Sequence, residues 1–160
     1  MLAGMVAVAS GQNMSGTFVA PVVPVGSLSQ KGNIGVALGG QSRFFPIERL
    51  ATGFNASFQY YFGRNDNPDF MIIPIRGTVE YFFTDEGAIY RPFAGVDLGL
   101  YITTHSNAVQ AQFGVAPGGG ISFELSDYIS IQLQARYNFL VGGGLVMFVE
   151  PSVGFSYTFY

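Results

Sequence analysis

From residue 32 onward, apolar residues recur at every second position, which is the signature of strands that show different faces to two environments. Residues 32–40 put Ile34, Val36 and Leu38 on one face, with Asn33, Gly35, Ala37 and Gly39 on the other. Residues 50–62 repeat this with Leu50, Phe54, Ala56, Phe58, Tyr60 and Phe62 against Ala51, Gly53, Asn55, Ser57 and Gln59. Residues 70–83 oppose Met71, Ile73, Ile75, Val79, Tyr81 and Phe83 to Arg76, Thr78 and Glu80. Residues 89–103 oppose Tyr90, Ala94, Val96, Leu98, Leu100 and Ile102 to Arg91, Gly95, Asp97 and Gly99. The same alternation runs through residues 109–125, 128–141 and 145–160. An eighth strand is expected over residues 15–25, where Thr17, Val19 and Val23 alternate with Phe18, Ala20 and Val22. Pro21 and Pro24 weaken it, because proline cannot donate to a ladder.

Short segments such as SLSQK, FPIE, GRNDNPD, TDEGA, THSNA, LSD and GGG separate these strands. Connections of that length join sequential hairpins, which predicts an up-and-down antiparallel all-β meander. An even strand number, eight, suits a closed barrel.

Charge placement says which face meets the solvent. Arg76, Glu80, Arg91, Asp97, Glu124, Arg136 and Glu150 all fall on the small, polar face, and the bulky aromatic face is expected to carry no charge. A charge facing lipid costs about 2–4 kcal/mol at the midplane of a membrane barrel. A face of Gly, Ala, Ser and Gln is too small and polar for a soluble core but suits the narrow lumen of an eight-stranded barrel. Only 11% of the residues are charged, too few to cover the surface of a soluble domain of this size. The apolar residues never run long enough for a spanning helix, which needs about 20 in a row, and a bilayer otherwise admits only closed barrels. The expected fold is therefore a transmembrane β-barrel, filling residues 14–160 as one domain. Residues 1–13 precede it as a remnant of a secretory signal, with a small-residue site at Ala7, Val8 and Ala9, or as an ordered extension.

If the chain starts in the periplasm, Tyr81, Phe83, Tyr90, Phe123, Tyr157 and Phe159 fall at the periplasmic rim. Phe62, Phe113 and Phe139 then fall at the outer rim. Two aromatic girdles of this kind are expected of such barrels.

The carboxy-terminal SVGFSYTFY resembles the β-signal of outer-membrane proteins. Ser152, Gly154, Tyr157 and Phe159 match it, and Tyr160 is an extra residue after the final aromatic. With QYYF, EYFFTDEGAIYRPFAGVDLGLY and LSDYISIQLQARYNF, residues 15–160 resemble the OmpA- and OmpX-like outer-membrane β-barrel domain family. The resemblance implies the outer membrane of a Gram-negative-type bacterium, surrounding lipid, and recognition by the barrel-assembly machinery during insertion. Other envelope proteins are further candidate partners. It transfers no catalytic residue.

Chemistry-bearing motifs are sparse. Some eight-stranded barrels resemble lipid A acyltransferases, which need a His, Ser and Asp set; His105 and Ser106, near Thr103, Thr104 and Asp69, are the candidates. A solvated loop histidine is the favoured reading, because mutual geometry defines a triad. The glycines at 118–120 and 142–144 lack the Lys-Ser/Thr of a phosphate loop. No carboxylate and histidine spacing suggests a metal site, and no cofactor is expected. The chain has no cysteine, so thiol chemistry is excluded. A net charge of −3 gives no footprint for nucleic acid.

Hairpin register predicts where the lumen charges meet. Centring the last hairpin on residues 142–144 sets Arg136 opposite Glu150. Centring the Asp85–Gly87 turn near residue 86 sets Glu80 beside Arg91 and Arg76 beside Asp97. Side chains fill so narrow a lumen. The expected function is structural: an anchor or envelope scaffold with a plugged polar interior, and not an enzyme. A small transport or lipid-binding barrel is the alternative, followed by an acyl-chain enzyme.

Overall fold

The computed structural model describes residues 11–64, 67–105, 108–142 and 144–159. Eight antiparallel strands close in sequence order. They are β1 (Asn13–Val25), β2 (Gly32–Ile47), β3 (Leu50–Gly63), β4 (Phe70–Phe82), β5 (Tyr90–His105), β6 (Ala108–Ser126), β7 (Ile129–Val141) and β8 (Val146–Phe159). A four-residue helix, α1 (Leu28–Lys31), lies between β1 and β2. The start of β1, the end of β8 and the turns after β2, β4 and β6 share one end of the barrel, the turn end. The connections after β1, β3, β5 and β7 share the other, the loop end.

Alternation decides inside from outside on every strand. Leu38, Phe54, Leu98, Leu100, Leu133 and Val153 are exposed on the outer surface, while their sequence neighbours Ala37, Asn55, Asp97, Gln132, Gln134 and Ser152 are buried. Arg43, Arg76, Glu80, Arg91, Asp97, Glu124, Arg136 and Glu150 all lie on the inward face of their strands. The exterior is thus a continuous apolar band, which water would not tolerate at this size and lipid solvates. No described helix is long and apolar enough to cross a membrane; the strands make the crossing.

Three differences from the sequence pattern have simple causes. The first strand exists despite its prolines and starts at Asn13, within the segment assigned to the extension. The SLSQK connection contains α1. Most consequentially, FPIE is no connection: β2 continues to Ile47. Its inward parity carries on through Gln41, Arg43 and Phe45, and this adds a buried arginine to the lumen.

The closing seam between β1 and β8 has a gap. Gln12 O accepts from Phe45 N, so even-numbered residues of β1 turn their backbone groups to β2 and odd ones to β8. Thr158 N donates to Tyr128 O, so odd-numbered residues of β8 turn theirs to β1. Pro21 and Pro151 face each other midway between the pairs Val19↔Val153 and Val23↔Val149. They occupy a hydrogen-bonded position of the ladder, and neither has an N–H to give.

Candidate functional site: the sealed lumen

The interior is built in three layers. At the turn end Met14, Phe45, Ala51, Phe82 and Phe93 form an apolar plug. At the loop end Ala20, Val22, Leu28, Ala37, Tyr61, Phe70, Ile72, Tyr101, Leu140 and Phe148 form a second. Polar and charged side chains from six strands fill the space between.

Three arginines and three carboxylates alternate there in one chain of contacts. Arg43 donates from Nε (2.5 Å) and Nη2 (3.0 Å) to Glu80. Arg136 Nη2 reaches the same carboxylate at 3.1 Å, and its Nε lies 2.6 Å from Asp97. Arg76 Nε is 3.7 Å from Asp97, and its Nη2 is 3.1 Å from Glu150. Amides add further hydrogen bonds. Asn55 donates to Asp97 at 2.9 Å and accepts from Arg76 at 2.6 Å, and Gln59 donates to Glu150 at 2.5 Å. Arg43, Arg76, Glu80, Asp97, Arg136 and Glu150 are all buried. A buried charge is tolerable only when paired and hydrogen-bonded, and here charges cancel three against three. The arginines also lie against rings, Arg43 over Phe93 at 5.1 Å and Arg91 over Phe82 at 4.7 Å, contacts favourable for a desolvated cation.

Glycines make room for these long side chains. Glu80 faces Gly95 across the β4–β5 ladder, and Arg136 faces Gly118 across β6–β7. A Cβ on Gly95 would fall 2.6 Å from Glu80 Cγ, and one on Gly118 would fall 2.9 Å from Arg136 Cγ.

The sequence-derived pairs fare differently. Arg136 and Glu150 are direct register partners on β7 and β8. Their side chains nonetheless go elsewhere, Arg136 to Glu80 and Asp97, Glu150 to Arg76 and Gln59. Arg76 does approach Asp97, which sits opposite Thr78, two residues along β4. Glu80 and Arg91 do not meet. Glu80 pairs with Gly95, because the β4–β5 connection lies further along the chain than a turn centred at residue 86. Arg91 instead approaches Glu124 on β6 at 3.7 Å. Hairpin logic sees only adjacent strands, whereas an arginine spans a narrow barrel. The residue it missed is Arg43, which the parity of Gly35, Ala37 and Gly39 would have found had β2 been continued.

The rims follow the aromatic pattern. Tyr81, Phe83, Tyr90, Tyr157 and Phe159 are exposed at the turn end, with Phe123 half-buried against Tyr90 at 5.6 Å between ring centres. Phe62 and Phe113 are exposed toward the loop end, and Phe139 packs on Tyr137 at 4.6 Å. In the carboxy-terminal motif Ser152, Gly154 and Ser156 face in, and Tyr157 and Phe159 face out with centroids 5.2 Å apart.

Of the acyltransferase candidates, Ser106 and the His105 side chain lie outside the described residues. Thr103 faces inward near the loop end. The Asp69 carboxylate is held by Tyr60 OH and by Gly63 N–H at 2.8 Å. These donors hold Asp69 below the usual carboxylate range, the backbone N–H of Gly63 most strongly. No three described His, Asp or Glu residues are grouped to hold a metal ion.

No protein-family model matches the chain, and no curated protein matches it. Solved structures do. Neisserial surface protein A superposes with a TM-score of 0.75 at 19% identity, covering 94% of this chain and 98% of that one. The fold is that of the eight-stranded outer-membrane barrels. The outer-membrane protein OprG from Pseudomonas aeruginosa gives a TM-score of 0.67 at 15% identity, covering 95% and 97%. The outer-membrane enzyme PagL gives 0.56 at 14%, covering 90% and 97%. Such barrels include enzymes, so the fold alone does not assign a role.

Proposed function

We propose that this chain is a closed, non-conducting barrel of a Gram-negative-type outer membrane, non-enzymatic, and structural in role. It is an anchor or a scaffold for other envelope proteins. One observation carries the reading: two apolar plugs enclose a network in which three buried arginines and three buried carboxylates pair with one another. The void between Glu80, Phe93, Asp97, Ala116, Gln134 and Arg136 has no room for a water molecule. An ion crossing this lumen would have to displace both plugs and break into a connected set of buried ion pairs. The apolar outer band and the carboxy-terminal aromatic motif support lipid and the barrel-assembly machinery as its partners. Purified protein in planar bilayers should give no steady conductance. Sustained, uniform channels at neutral pH would overturn this reading.

A further inference from the structure

The loop end of the barrel holds a cavity that the sealed lumen does not use. It measures about 380 Å³ and is lined by Leu28 and Lys31 of α1, Phe70 and Ile72 of β4, Thr103 of β5 and Gln112 of β6, among others. That volume falls in the ~300–1,000 Å³ range of small-molecule sites. Its floor is the loop-end plug, where Phe70 stacks on Tyr61 at 4.7 Å between ring centres. One wall is therefore apolar. The other is polar. Gln110 and Gln112 donate to Gly142 O at 3.2 and 2.7 Å, which fixes both amides at the rim. Thr103 Oγ1 is buried there without a hydrogen-bond partner among the described residues, so its hydroxyl is available to a ligand. The exposed Lys31 places a cation at the entrance.

We propose that this mouth binds a single-chain amphiphile with an anionic head. The tail lies against Leu28, Phe70, Ile72 and Val146. The head accepts from Thr103 Oγ1 and faces Lys31. The site is separate from the charge network, so it can fail while the closed-lumen reading stands, and the reverse.

The test uses the full chain in lipid nanodiscs with a diazirine-bearing dodecanoate as probe. Label should appear on the inward residues of the mouth, Leu28, Phe70, Ile72 or Gln112, and excess dodecanoate should compete it away. Ala108→Trp, which fills the cavity from its exposed edge, should abolish this label. Lys31→Gln should weaken dodecanoate competition about two- to five-fold, as for loss of an exposed ion pair, and leave dodecan-1-ol competition unchanged. Thr103→Val should weaken both. Label confined to outward residues such as Phe62 and Phe113, or mouth label that no competitor displaces, would overturn the proposal. Competition in the unaltered protein decides the matter even if Ala108→Trp fails to fold.

Discussion

Glu80 accepts from two guanidiniums, Arg43 and Arg136, while Glu150 accepts from Arg76 and the uncharged Gln59. Neutralising Glu80 leaves Arg43 without a carboxylate and Arg136 with Asp97 alone, whereas neutralising Glu150 leaves Arg76 with Asp97, Asn55 and Asn138 nearby. Glu80→Gln should therefore destabilise the barrel by about 3–5 kcal/mol, the cost of breaking a buried pair, and by more than Glu150→Gln. Reversible urea unfolding in lipid vesicles measures both. A double-mutant cycle on Arg76 and Glu150 should show clear coupling, and the cycle on the register partners Arg136 and Glu150 little. Equal coupling in the two cycles would mean that backbone register, and not the side-chain network, governs the lumen. Asp69 acts at the rim. Its carboxyl titrates below its ordinary value when folded, so its charged form adds stability above the unfolded value of about 3.9. That contribution is lost as pH falls through the lower folded value. The β3–β4 connection should thus loosen in acid only below about pH 4, read by proteolysis there, and Asp69→Asn should be equally loose at neutral pH.

At the scale of elements, the weakest ladder is the one that closes the barrel. Pro21 and Pro151 remove two hydrogen bonds from the β1–β8 seam, and their carbonyls lose ladder donors at a depth where lipid offers none. Restoring the N–H groups with Pro21→Val and Pro151→Val should stabilise the barrel by about 1 kcal/mol per bond. The freer unfolded chain partly offsets this. The double variant should have the highest urea midpoint of the set; no rise over the parent would show that the seam closes without strain. The same β8 strand carries the outward pair Tyr157 and Phe159. Their rings contact each other, and Tyr157 stacks on Tyr128, at the surface. Replacing both with Ala should slow insertion by the native assembly machinery more than it lowers the stability of the folded barrel. Unchanged assembly rates would count against a recognition role for SVGFSYTFY.

At the scale of the whole molecule, three layers share the sealing, so weakening the middle one does not open a pore. Glu80→Gln, if it folds, should remain non-conducting in the same bilayer recordings, because both apolar plugs persist. The strand pattern, closed meander, lipid-facing surface and inward charges were all legible in the chain. A period of two fixes the face of every residue once one face is assigned, and the cost of charge in lipid assigns it. The register of the last hairpin was legible too, since a three-residue glycine loop leaves little choice. Which charge meets which was not. Arg43, Arg76 and Arg136 bind across the barrel to strands that are distant in sequence, and only closure brings those walls within reach of a guanidinium. The proline gap and the loop-end mouth likewise exist only because β1 and β8 meet and four connections converge. Sequence periodicity is a property of one strand; these features are properties of pairs of strands whose separation along the chain carries no local signal.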